Sequence, residues 1–141
     1  MAIDKTVVNK RLAVLVTEAD FLKKLKLSDY NRFVRDPKTL RAAVRAFELI
    51  AQSIIDIAGH IVAQKRLGVP DSYRDTISLL AREGLLEQQL SERLQRLVSM
   101  RNLLVHQYLE LDYRVIFDNV PSVIEDSSAF VAAVRHLIGS S

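Results

Sequence analysis

The feature that most constrains this chain is a stretch where apolar residues recur at alternating intervals of four and three. Leu40, Val44, Phe47, Ala51, Ile54, Ala58 and Ile61 keep that rhythm over three heptads, and Ile50, Ile55, Ile57 and Val62 widen the apolar surface beyond one seam. The period is that of an α-helix. A helix apolar over so much of its circumference must be covered on more than one side, by other helices or by a second copy of itself. Its start is well marked: Asp36 is a capping acid, and Pro37 takes the first helical position, where a missing N–H costs nothing. Gly68, with Pro70 just beyond, marks its expected end.

The flanking segments read the same way. Asp4 is placed to cap a first helix carrying Val8, Leu12, Leu15, Ala19 and Leu22. Residues 28–34 read as a short connecting turn or single helical turn anchored by Tyr30 and Phe33. Ser72 opens a shorter helix through Arg82, closed by Gly84, and from Leu86 a long one carries Leu90, Leu94, Leu97, Leu104 and Val105. The last segment starts near Asp112 and runs toward Phe130, Val134 and Leu137, with a break or kink expected at Pro121. Four glycines and three prolines are too few for the turns of a β-sandwich or barrel. The expectation is an all-α bundle of about five to six helices, one domain over residues 1–141.

Composition narrows the function classes. The chain has no cysteine, which excludes disulfides, thiolate metal sites and a thiol nucleophile. No uninterrupted apolar run approaches the roughly 20 residues of a bilayer span, and Met1 to Lys5 lack the apolar stretch of a signal peptide, so a soluble cytoplasmic protein without membrane contact is expected. The net charge of +3 is unevenly spread: residues 1–45 carry eleven Lys/Arg against five Asp/Glu, and residues 102–141 carry two against five. A basic first third suits a polyanion such as RNA, although a solvated helix face has the same composition.

The seam of the fifth segment goes Leu90, Leu94, Leu97, Arg101, Leu104, Tyr108, so a guanidinium stands where the rhythm asks for an apolar side chain. Such a group is costly on a seam unless an anion or a cleft receives it, or its stem packs while its head reaches water. Asn102 and His106 stand at i and i+4, on one helix face. Arg101 and His106 are five residues apart, about 140° around a straight helix, so one undistorted helix cannot aim both at one phosphate. Either the helix ends near Val105 or a second chain completes the site across a two-fold axis.

The run Arg101-Asn102-Leu103-Leu104-Val105-His106-Gln107-Tyr108 resembles the Arg-x4–6-His signature of the HEPN superfamily, in the Arg-Asn-x-x-x-His-x-Tyr form of HepT-type toxins. The resemblance extends to His60-Ile61-Val62-Ala63, to the stretch from Leu67 through Pro70 and Tyr73 to Asp75, and to the short helix ending at Gly84. It implies a HEPN-like helical fold and a homodimeric ribonuclease toxin acting on tRNA or mRNA. Arg101 and His106 of both subunits would be catalytic, with Asn102 in support. It also implies a cognate minimal nucleotidyltransferase antitoxin that adds AMP to Tyr108. The residue chemistry agrees. Metal-independent RNA cleavage uses the 2′-hydroxyl as nucleophile and needs a group that titrates near neutrality, which histidine supplies. It also needs fixed positive charge on the phosphate oxygens, which arginine supplies without giving up its proton. Asn102 would hold the imidazole or a phosphate oxygen. No cofactor or metal is called for. The alternative is a non-catalytic helical dimer that binds a nucleotidyltransferase or a nucleotide, with Arg101 as an anion hook.

Asp56 and His60, also at i and i+4, are too few for a metal site and read as a packed hydrogen-bonded pair. His136 reads as a surface residue near a helix C-terminus, and Phe47 and Tyr73 as core.

Overall fold

The computed structural model describes residues 3–106 and 113–139, with the side chains of Val105 and His106 left out of the description. Among the described residues all regular structure is helical: α1 (Lys5–Leu25), α2 (Tyr30–Arg35), α3 (Pro37–Lys65), α4 (Tyr73–Arg82), α5 (Gln88–His106) and α6 (Tyr113–Gly139). The expected caps form. Asp4 Oδ1 accepts from the Thr6 and Val7 amides at 3.0 and 3.3 Å. Asp36 accepts from the Thr39 amide at 3.4 Å and from its hydroxyl at 2.7 Å, with Pro37 in the first turn. These bonds satisfy amides that a helix start leaves without partners. The Thr39 hydroxyl bond is also the main reason the Asp36 carboxyl is held below the usual carboxylate range.

α3 runs through the middle of the bundle and packs against α1, α2, α4, α5 and α6. Phe47, Ile50, Ile54, Ile57 and Ile61 are fully buried, and Ile55 and Val62 nearly so. The broad apolar surface of α3 is thus covered within one chain, and it does not require a second copy. By length and composition α3 does reach what a bilayer span needs, but 61% of its most apolar window is buried inside the protein. Polar residues such as Gln52, Ser53 and Asp56 interrupt its apolar run.

Two details differ from the sequence reading, and at a third the helical alternative is the one that forms. α3 stops at Lys65, three residues before Gly68, because Arg66 takes the left-handed conformation (φ 53°) and the Leu67 amide closes back onto the Val62 carbonyl at 3.0 Å. The segment around Tyr30 is a six-residue helix. Phe33 is buried, Tyr30 meets Phe117 edge-on at 5.5 Å, and the Arg114 guanidinium lies 4.6 Å from the Tyr30 ring centre. α6 runs through Pro121 as one helix rather than breaking there. Ile116, Val120, Val123, Ser127, Phe130 and Val134 continue one buried face across the proline. Beside it the Asn119 amide donates to the Val115 carbonyl at 2.7 Å and the Ser122 hydroxyl to the Asn119 carbonyl at 3.1 Å. Packing along that face, with local side-chain donors, outweighs the lost backbone bond.

Candidate active site

α5 is fixed by its buried side and presents its end. Leu90, Leu94, Leu97, Val98 and Leu104 are buried. Arg93 Nε donates to Asp126 Oδ1 at 2.8 Å, tying α5 to α6, and this bond is the main reason the guanidinium holds its proton more tightly than usual. On the α4 side, the buried Ser91 hydroxyl donates to the Ile77 carbonyl at 3.4 Å. Arg74 Nη1 donates to Ser99 Oγ at 2.7 Å.

Beyond those braces comes the run that broke the apolar rhythm. Arg101 is half-buried, Asn102 and Leu103 are exposed, and Leu104 returns to the core. Arg101 Nη1 lies 3.5 Å from Asn102 Oδ1, the long end of hydrogen bonding, and among the described residues no carboxylate pairs with it. α5 stays helical through His106, so Arg101 and His106 are set about 140° apart around its axis. Tyr108 lies outside the described residues.

Two concavities flank this end of α5. One, of about 490 Å³, lies between the start of α4 and α5 and is lined by Pro70, Tyr73, Arg74, Val98 and Asn102 among others. The other, of about 340 Å³, lies on the Leu104 side and carries Arg41 and Arg45 from α3, with Glu48 paired to Arg45 at 3.1 Å. Residues 102 and 104 project to opposite sides of a helix, so the motif stands between the two.

The first of these is not evident from the sequence, in which Tyr73 reads as core. Phe47 is indeed buried, but Tyr73 is 49% exposed. It directly follows the Ser72 cap, in the first turn of α4, with the buried positions of that helix starting at Thr76. The cap assignment was the signal that would have placed it outside. Asp56 and His60 do not form the expected pair: Asp56 accepts from Gln52 at 2.8 Å and lies 3.6 Å from Arg11, while His60 Nε2 is buried without a partner among the described residues. His136 is exposed in the last turn of α6.

A helical bundle that presents an arginine with no carboxylate partner among the described residues, and a histidine five residues on, at the end of a braced helix has the build of the HEPN class. The chain belongs to the HepT-like ribonuclease family, whose pattern matches residues 16–134. It is 34% identical over 107 residues to the mRNA nuclease HepT of Shewanella oneidensis, covering 76% of this chain and 80% of that protein. It is 22% identical over 133 residues to the tRNA nuclease HepT of Aphanizomenon flos-aquae, covering 94% and 90%. Among solved structures it is similar to the tri-AMPylated HEPN toxin of Shewanella oneidensis in complex with MNT antitoxin, with a TM-score of 0.84, 28% identity, and coverage of 92% of this chain and 97% of that one.

Proposed function

We propose that this chain is the toxin of a toxin–antitoxin pair, a homodimeric, metal-independent endoribonuclease acting on mRNA or tRNA. The observation that carries the reading is Arg101, set on an otherwise apolar seam and without a carboxylate partner among the described residues, inside an Arg-x4-His run of a HepT-like chain. The 140° separation of Arg101 and His106 supports a site completed across a two-fold axis, Arg101 of one subunit working with His106 of the other. Leu103, exposed at 47% beside the motif, is an apolar side chain suited to that interface.

In the reaction His106 takes the proton of a 2′-hydroxyl as the 2′-oxygen attacks the adjacent phosphorus. The P–O5′ bond breaks, and the departing 5′-oxygen takes up that proton from the now protonated His106 imidazole. The products are a 2′,3′-cyclic phosphate and a 5′-hydroxyl. Arg101 stabilises the negative charge gathering on the non-bridging oxygens, and Asn102 positions the guanidinium. The antitoxin is a minimal nucleotidyltransferase, in line with the MNT partner and the AMPylation of the related Shewanella toxin. Its AMP on Tyr108 sets a phosphodiester charge and bulk at the cleft. The purified protein incubated with RNA in EDTA tests the reading. Cyclic phosphate and 5′-hydroxyl ends support it. Failure to cleave, or 5′-phosphate ends, would overturn it.

A further inference from the structure

The cleft between α4 and α5 has no part in the chemistry above, yet it is joined to it. Asn102 lines the cleft and also meets Arg101. Arg74 on the opposite wall is held by Ser99 at 2.7 Å. The Asp71 amide donates to Asp75 Oδ2 at 3.1 Å, and Asp75 is paired with Arg82 at 2.8 Å, which fixes the loop entering α4 and neutralises one of its carboxylates. Tyr73, half-exposed on the lining, meets no other ring among the described residues, and Val69 beside the cleft is 92% exposed. Its volume of about 490 Å³ is within the range of small-molecule pockets, roughly 300–1,000 Å³.

We infer that this cleft seats one nucleobase of the RNA strand next to the scissile phosphate, with Tyr73 as the stacking platform; the inference rests on the ribonuclease reading above. The lining suits a base better than a phosphate. Asp71 would repel a phosphate but accepts a ring or exocyclic N–H, Pro70 and Val98 offer apolar walls, and Tyr73 offers an aromatic face. Arg74 also has a planar guanidinium for the base or its sugar–phosphate edge. A base seated here lies one side chain, Asn102, away from the guanidinium that would meet its phosphate. The cleft therefore sets which nucleotide stands at the cut.

Binding and cleavage are measured separately on the full-length protein. The binding probe is a fluorescent single-stranded RNA with 2′-O-methyl groups throughout, which cannot be cut. Tyr73→Ala should weaken its binding about 5- to 150-fold, the range for loss of one base–aromatic stack, while Tyr73→Phe stays close to wild type. In unmodified RNA, wild-type protein should show one position where an abasic residue is strongly disfavoured, and Tyr73→Ala should erase that preference. Equal binding by wild type and Tyr73→Ala overturns the inference, as does a Tyr73→Phe loss equal to that of alanine. An abasic scan of the wild-type protein with no preferred position overturns it without relying on any variant. Wild-type protein that binds the probe through Tyr73 but cuts no RNA sustains the base site and defeats the ribonuclease reading, so the two failures separate.

Discussion

Arg74 Nη1 and Ser99 Oγ, 25 residues apart in sequence, meet at 2.7 Å and join the first turn of α4 to α5 two residues before Arg101. The bond orients a wall of the cleft from the same stretch of helix that presents the motif. Ser99→Ala should release Arg74 without disturbing the core, since the pair is exposed. We expect KM for RNA to rise roughly 2- to 10-fold, the scale of one hydrogen bond, with kcat nearly unchanged. Steady-state kinetics on a defined oligonucleotide measures both. A fall in kcat alone would mean that the bond serves Arg101 rather than substrate binding.

Arg101→Ala and His106→Ala should each lower cleavage by ~10²-fold or more while the helical circular dichroism spectrum is retained. The two inactive chains, unfolded together and refolded, should regain activity. A mixed dimer that pairs Arg101 of one subunit with His106 of the other keeps one intact site. A site confined to one chain would leave the mixture inactive.

Leu103→Asp places a charge on an exposed apolar position without touching the interior. Sedimentation at micromolar concentration should show a dimer for the wild type and a shift to monomer for the variant, with cleavage lost in parallel. A monomeric variant that cleaves at the wild-type rate would remove the composite site.

Tyr108→Phe should cleave RNA like the wild type and escape silencing when incubated with the antitoxin and ATP. Intact mass reports the modification. Added mass persisting on the phenylalanine variant, or modified protein that cuts RNA undiminished, would place the control elsewhere.

Pro121→Ala should stabilise the fold by up to about 3 kcal/mol, because α6 is already continuous there and alanine restores a backbone donor. Thermal unfolding gives the sign. A lower Tm would mean that the backbone around Val115 and Asn119 has been built to need the proline.

Regular features were legible because they repeat. The rhythm from Leu40 to Ile61 gave the core helix, and Asp36-Pro37 gave its start to the residue. What escaped depended on single interactions across space. The end of α3 moved from Gly68 to Arg66 because a backbone bond to Val62 compensates a strained non-glycine conformation. Pro121 kept its helix because a buried face spans it. Asp56 turned to Gln52 and Arg11 rather than His60, a choice set partly by α1, which spacing along α3 could not reveal. In the site, Arg101 stood out by violating its seam, whereas Tyr73 looked like any other aromatic until the neighbouring helix gave it a cleft.

The division of labour along α5 bears on how such a protein can change over generations. Of residues 101–104 only Leu104 is buried, while the side-chain bonds to α4 and α6 found among the described residues lie earlier in the helix. Substitutions at Arg101, Asn102 or Leu103 therefore leave the interior intact, and on the proposed reading of the site a lineage can silence cleavage in one step while still producing a folded protein. A lost activity can return by the reverse substitution, since nothing in the interior has to be rebuilt.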